Sequence, residues 1–465
     1  ALLDRMEEIG VGVEYAQFEM DFGLGASVGE YVGGVNVVEA APVELVQRRL
    51  RIALLSWESL WTHAEGPVSD LVSELAIQLA SKDHEVHVFT RASGSVARTL
   101  KGYEMIQGVH VHRLGTKESK DSLLAQCRVL CDDMVHFMKE TEQFMNAEFD
   151  IVHGFDWYTA MAIVNIKNHS GQHCILQLLS SEKSRNLLSK RSFGGQTLHI
   201  SGIENDGMLR SDLVIAPTGD FCEQLKVHYP DLHPAKLRKI PVGVDCLRFD
   251  TSLPSSNDRK RLRRSVLSSG VDTRIFLFAG RFHEPNGCDV WFETACKFLR
   301  NQPNSMSKLR FVFFGDGPLK IDMITKIAKY NLRDHIMIWS PAQSPLSLMQ
   351  LYGVCDIVAL PNRSESSCAG VLYAWAARKA VITSDLEGYL DIVGTGSNGY
   401  AVQPTVSGLT WALEQCMNAS DAEIVAMGEN GRVTAAFEHS WAKITDWTLG
   451  VYSELIGPLM VPKEV

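Results

Sequence analysis

The sequence predicts an α/β chain of two Rossmann-like, doubly wound domains facing a cleft, preceded by an N-terminal extension. Three observations carry this reading. Short apolar strand patterns alternate with amphipathic helical runs from residue 51 to residue 441. Glycine turns stand at strand ends, where a doubly wound sheet places its ligand loops. A length of 465 residues at 45% hydrophobic composition suffices for two cores. The expected divisions are an extension at 1–49, a first domain at 50–250 completed by a returning helix at 441–458, a linker at 251–271 and a second domain at 272–440.

Composition narrows the class. The net charge is −10 with no long basic run, so nucleic acid is not the expected partner. Ten cysteines are scattered without a CxxC pair or zinc spacing, which points to reduced thiols, an intracellular setting (cytoplasm or organelle matrix) and no metal. No run is long and apolar enough to span a bilayer, and no secretory pattern opens the chain. The first residue, Ala1, reads as a processed or trimmed front.

In residues 1–49, recurring glycines break any helical period, with one strand conceivable at 35–38; the segment reads as an extension packing on the body or on a protein partner. Residues 51–55 (RIALL) form a buried first strand. The loop 56–70 follows, then a helix with Leu71, Leu75 and Leu79 on one face, then the strand EVHVFT, which closes a βαβ unit. Further units appear at 149–162 (FDIVHGFDWYTAMA), 174–186 (CILQLLSSEKSRN) and 211–229. Residues 239–249 (KIPVGVDCLRF) end the first domain. Residues 251–265 (TSLPSSNDRKRLRRS) read as an exposed linker plus a helix whose five Arg/Lys at 259–264 could bind anions, with a solvated face the favoured reading. The second domain opens with RIFLFAGRFHEPNG at 274–287 and continues through LRFVFFGDGPLK at 309–320 to DIVALPN at 356–362.

The stretch 360–377, LPNRSESSCAGVLYAWAA, leaves the end of a buried strand and opens a helix. Such a turn aims backbone N–H groups and a positive helix end into a crevice, which suits an anion. Alone, it reads better as an ordinary strand-to-helix turn with a solvated Glu365.

With its neighbours, this stretch resembles the signature of retaining nucleotide-sugar glycosyltransferases of family four, the GT-B group that includes glycogen- and sucrose-synthase-like enzymes. There a Glu followed by Phe-Gly precedes a second Glu eight positions on. Glu365 matches the first Glu, Cys368 the glycine and Tyr373 the second Glu, which holds the ribose. The family's Gly-Gly pair near the donor diphosphate is Glu65-Gly66 here, followed by Val68 at a small position; a later Gly-Gly is Glu387-Gly388. Its histidine-aspartate-tryptophan triplet becomes Phe155, Asp156 and Trp157. Its sugar-contacting histidine becomes Leu179, while Glu182, Arg185 and Asn186 remain. Of its diphosphate-neutralising Arg and Lys, Arg281 remains and Asn286 replaces the lysine; the Gly-x-Gly-Pro turn persists as Gly315 and Gly317.

The resemblance implies catalytic or binding roles for Arg281 and Glu365, and phosphate or nucleotide contacts at Gly66, Gly315 and Gly317. Changes at Glu65, Phe155, Leu179, Asn286, Cys368, Tyr373 and Glu387 remove a cation, a ribose clamp and two imidazoles from ligand-facing positions. Three readings follow. The first is a catalytically degenerate family member retained as a structural or scaffold protein, requiring no cofactor. The second is an active transferase using a nucleotide-sugar with an unknown acceptor. The third is a sensor that holds a nucleotide-sugar or nucleoside diphosphate weakly without turnover. Tyr373 is expected to fill part of the ribose position, with Phe155 and Leu179 making the sugar end apolar.

Overall fold

A computed structural model describes residues 45–62, 66–92, 102–115, 122–188, 195–267, 273–302, 308–364 and 367–462. The chain divides into two compact units, 1–46 with 462–465, and 47–461. The strand expected at 35–38 lies outside the described residues, as do Glu65 and Glu365.

After the short strand β1 (Leu45–Gln47), eight strands build a first sheet: β2 (Arg51–Ser56), β3 (Glu85–Ala92), β4 (Tyr103–Ile106), β5 (Val109–Gly115), β6 (Ile151–Phe155), β7 (Cys174–Gln177), β8 (Leu213–Ala216) and β9 (Leu237–Lys239). Their spatial order is β4-β5-β3-β2-β6-β7-β8-β9. The β4/β5 hairpin is antiparallel and the other neighbours pair in parallel. A second, wholly parallel sheet holds β10 (Arg274–Ala279), β11 (Leu309–Phe314), β12 (Ile336–Trp339), β13 (Ile357–Leu360), β14 (Ala380–Ser384) and β15 (Gly399–Val402), in the order β12-β11-β10-β13-β14-β15. Both are doubly wound. The direction of strand addition reverses between β2 and β6 in one sheet and between β10 and β13 in the other, so each opens a crevice at the carboxyl ends of those strands.

Parallel strands covered on both faces read as continuous apolar runs. In β13, Ile357, Val358, Ala359 and Leu360 are all buried. The helix Pro67–Ser81 starts with Pro at its first turn and buries Leu71, Leu75 and Leu79, one face at helical spacing. One apolar cluster runs through both sheets, containing Ile52 and Leu54 of β2 together with Ile275 and Leu277 of β10.

The helix Trp441–Ile456 packs against Pro67–Ser81. Its Tyr452 hydroxyl meets His153 Nδ1 at 2.9 Å in the interior. Burial holds the His153 imidazole down at about 3, so the ring is neutral.

The segment expected to be a linker with a solvated helical face departs from that expectation. Its helix, Ser256–Ser265, lays Arg259 and Arg263 on Asp356, at 2.6 Å and 2.9 Å. The reason is that Asp356 stands half-buried just before β13, where it also accepts the Ile275 backbone N–H at 2.8 Å and needs positive partners.

Candidate ligand cleft

On the second sheet, the turns after β10 and β11 interlock. A Cβ on Gly315 would lie 1.9 Å from the Gly280 carbonyl oxygen, and one on Gly317 would lie 2.5 Å from that of Phe282; both glycines have φ +154. Only glycine permits this approach. Asp316 between them accepts from the Gly317 N–H and from Ser340 Oγ and pairs with Lys320 Nζ. Those hydrogen bonds, with Ser340's first, hold its carboxyl down at about 2.

Arg281 follows this turn and is exposed; among the described residues no hydrogen bond or ion pair engages its guanidinium. Asn286 ends a 3₁₀ turn (Glu284–Asn286) and its amide lies beside Gly280. Gly287, at φ +68, lets the Pro361 carbonyl approach to where a Cβ would stand, 1.8 Å away. Arg363 secures the same junction, with both guanidinium nitrogens on Asp289 at 2.7 and 2.9 Å. The loop leading to position 365 is therefore tied to the turn carrying Asn286.

Cys368, at φ +56, adopts a left-handed backbone and caps the helix Ala369–Ala376. A side chain there costs on the order of 1 kcal/mol relative to a relaxed conformation. Its Sγ contacts the Gly388 carbonyl at 3.2 Å. Glu387 is exposed at the start of the helix Glu387–Leu390. One turn into Ala369–Ala376, the Tyr373 hydroxyl donates to Asp70 Oδ2 at 2.5 Å, on the helix Pro67–Ser81 that packs against the first sheet. Arg248 Nη1 holds the other Asp70 oxygen at 3.3 Å, and the Phe249 ring stacks on Tyr373 at 5.9 Å. Burial, with the Asp70 charge beside it, pushes the Tyr373 hydroxyl well above its ordinary value, so it stays a donor. A cavity of only about 110 Å³ remains beside Tyr373.

On the first sheet, Gly66 caps Pro67–Ser81 with extended backbone. Phe155 ends β6, buried and stacked on His153 at 4.4 Å. Asp156, at φ +56, accepts the Leu179 N–H at 3.0 Å; Leu179 itself is buried in the apolar core. Glu182 and Arg185 face a buried carboxylate, Glu204, which accepts the Glu182 N–H at 2.9 Å, the Tyr229 hydroxyl at 2.5 Å and Arg185 Nη2 at 3.4 Å. A larger cavity of about 860 Å³ lies toward the returning helix, bordered by Thr218, Lys239, Cys368, Gly388, His439 and Trp447.

Two family profiles divide this architecture between them: "Glycosyltransferase Family 4" matches residues 68–248 and "Glycosyl transferases group 1" matches residues 259–434. The chain belongs to the GT-B glycosyltransferase family. Among relatives, the D-inositol 3-phosphate glycosyltransferase of Segniliparus rotundus is 24% identical across 91% of this chain and 94% of its own length. That of Kineococcus radiotolerans is 25% identical across 87% and 95%. Sucrose-phosphate synthase from Thermosynechococcus elongatus superposes with TM-score 0.70 at 17% identity, over 88% of this chain and 99% of that one. The catalytic domain of starch synthase IV from Arabidopsis thaliana, bound to ADP and acarbose, does so with TM-score 0.71 at 13% identity, over 88% and 100%. These superpositions speak for the fold of a GT-B glycosyltransferase.

In this glycosyltransferase cleft, sequence reasoning missed Asp70, Arg248 and Arg363. Nothing local flags them. Asp70 and Arg363 carry no motif of their own, and each meets its partner far away in the chain.

Proposed function

We propose that the chain is a glycosyltransferase-family protein whose cleft no longer supports efficient sugar transfer, retained as a structural or scaffold component with a protein partner engaged through the N-terminal extension. The observation that carries this reading is the Tyr373–Asp70 hydrogen bond. If the ribose position corresponds to that of the family, an aromatic side chain occupies it. Its single hydroxyl is committed to a carboxylate, and no carboxylate is left at 373 to accept from a ribose diol. With Asn286 in place of a lysine, one fixed cation is also missing from the leaving diphosphate. Losing one preorganised group of that kind typically costs roughly 10²–10³ in rate.

A second reading, an active transferase with an altered donor site, is favoured by Arg281, unengaged among the described residues, beside the Gly315/Gly317 turn and weakly by the similarity to D-inositol 3-phosphate glycosyltransferases. On that reading Glu365 serves the donor sugar, and an inositol phosphate is the acceptor to try first. The sensor reading keeps weak nucleotide binding without turnover. Calorimetry with uridine and adenosine diphosphate-glucose, together with donor hydrolysis and transfer assays on the same preparation, separates the three. Transfer abolished by Arg281→Ala establishes the second reading; binding without turnover establishes the third; neither binding nor turnover leaves the first.

A further inference from the structure

The second sheet has another polar cavity, of about 430 Å³, at the ends of its strands opposite the cleft. Thr273 and Arg274 border it at the start of β10, Asp356 just before β13, and Arg378 and Lys379 just before β14. All these strands are parallel, so the cavity lies at their amino ends, whereas Arg281, Asn362 and Cys368 follow carboxyl ends. A strand of four to six residues separates the two faces by roughly 13–20 Å.

Seven cations border the cavity against two carboxylates, Asp356 and Asp421, in a chain whose net charge is −10. Four of them are matched: Arg259 and Arg263 share Asp356, Arg274 holds Asp421 at 2.5 Å, and Arg378 holds both Asp250 at 3.0 Å and Glu429 at 3.2 Å. Lys260 and Arg264, exposed on the cavity side of the helix Ser256–Ser265, have no carboxylate partner among the described residues. Among the described residues, Lys379 reaches only the Gly353 carbonyl, at 3.4 Å, and the buried Arg259 Nε makes no hydrogen bond. Burial, with like charge from Arg259 and Arg263, disfavours the Lys379 ammonium. Cations crowded at a recess beyond the acids available repel one another, and an anion carrying several oxygens relieves that repulsion while taking guanidinium groups in paired hydrogen bonds.

We infer that this recess is a binding site for a small, multiply charged phosphate compound, separate from the glycosyltransferase cleft. Its volume suits a diphosphate or a phosphorylated small molecule.

The test is titration of the full chain with inorganic pyrophosphate by calorimetry, at two salt concentrations. One saturable site is expected, weakening as salt rises. Replacing both Lys260 and Arg264 by Gln, exposed residues without ion-pair partners, should weaken it at least about tenfold without changing the melting temperature, since each loses a charge-assisted contact. Lys379→Gln should weaken it as well. Arg281→Ala, in the cleft, should leave it unchanged. Absence of saturable binding, retention in the double variant, or loss in Arg281→Ala alone overturns the inference. Because the cleft is read out by the Arg281 variant, failure here and failure of the reading of the cleft are distinguishable.

Discussion

The Tyr373 hydroxyl and the Asp70 carboxylate stand 2.5 Å apart, joining the helix that opens the second domain's crevice to the first helix of the other domain. Arg248 completes the arrangement by holding the second carboxylate oxygen. A hydrogen bond to a charged group in a half-buried position contributes more than a neutral one at the surface. Tyr373→Phe keeps the Phe249 stacking and removes only the hydroxyl, leaving Asp70 with Arg248. Chemical denaturation should report a loss of about 2 kcal/mol. An unchanged midpoint would mean the contact adds nothing to the stability of the fold.

Introducing the family's groups at 286 and 373 involves the same pair. Tyr373→Glu alone sets a second carboxylate against Asp70 and should lower stability, because two like charges at that distance repel. In an Asp70→Asn background, Asn286→Lys with Tyr373→Glu should strengthen nucleoside diphosphate binding more than either change does separately, since both groups would grip one ligand. Calorimetric affinities for the single and combined variants give the coupling directly; strict additivity would mean the two positions do not meet a common ligand.

Glycine substitutions discriminate the junction from the surface. Gly287→Ala drives a Cβ into the Pro361 carbonyl and forces a side chain to φ +68. It should cost roughly 2–3 kcal/mol and separate the Asn286 turn from the loop toward 365. Gly450→Ala meets nothing within 4 Å on an exposed helical position. That change should stabilise by about 0.5–1 kcal/mol. Melting temperatures moving in opposite directions check the pair.

Acid should unfold the first sheet through its buried histidines. Burial holds His153 and His87 down at about 3 and His112 at about 4, from an ordinary value of 6.5. The neutral ring is the one the fold accepts, so the unfolded chain takes up protons first. The stability these groups contribute is fully present above pH 6.5 and is lost as pH falls toward 4 and then 3. Each contributes a slope of up to about 1.4 kcal/mol per pH unit. His153→Gln should flatten the profile of denaturation midpoint against pH; the same slope in the variant would remove His153 from the account.

The sequence by itself determined the two doubly wound sheets. Strand and helix patterns are local, and burial on both faces forces apolar runs such as that of β13 and one-faced helices such as Pro67–Ser81. It also marked Asn286, Cys368 and Tyr373 as departures from a recognisable family frame. What those residues contact was decided by the tertiary structure. Tyr373 finds Asp70 across 303 residues of chain, and Arg363 finds Asp289 across 74. Gly287 looks like any loop glycine until the Pro361 carbonyl occupies the space of its missing side chain. The basic run at 259–264 read as solvated; two of its arginines were recruited by Asp356, while Lys260 and Arg264 were left lining a recess. Local pattern specifies which surface an element buries. Which distant charge or carbonyl arrives at that surface depends on how the layers pack, and no window of sequence contains it.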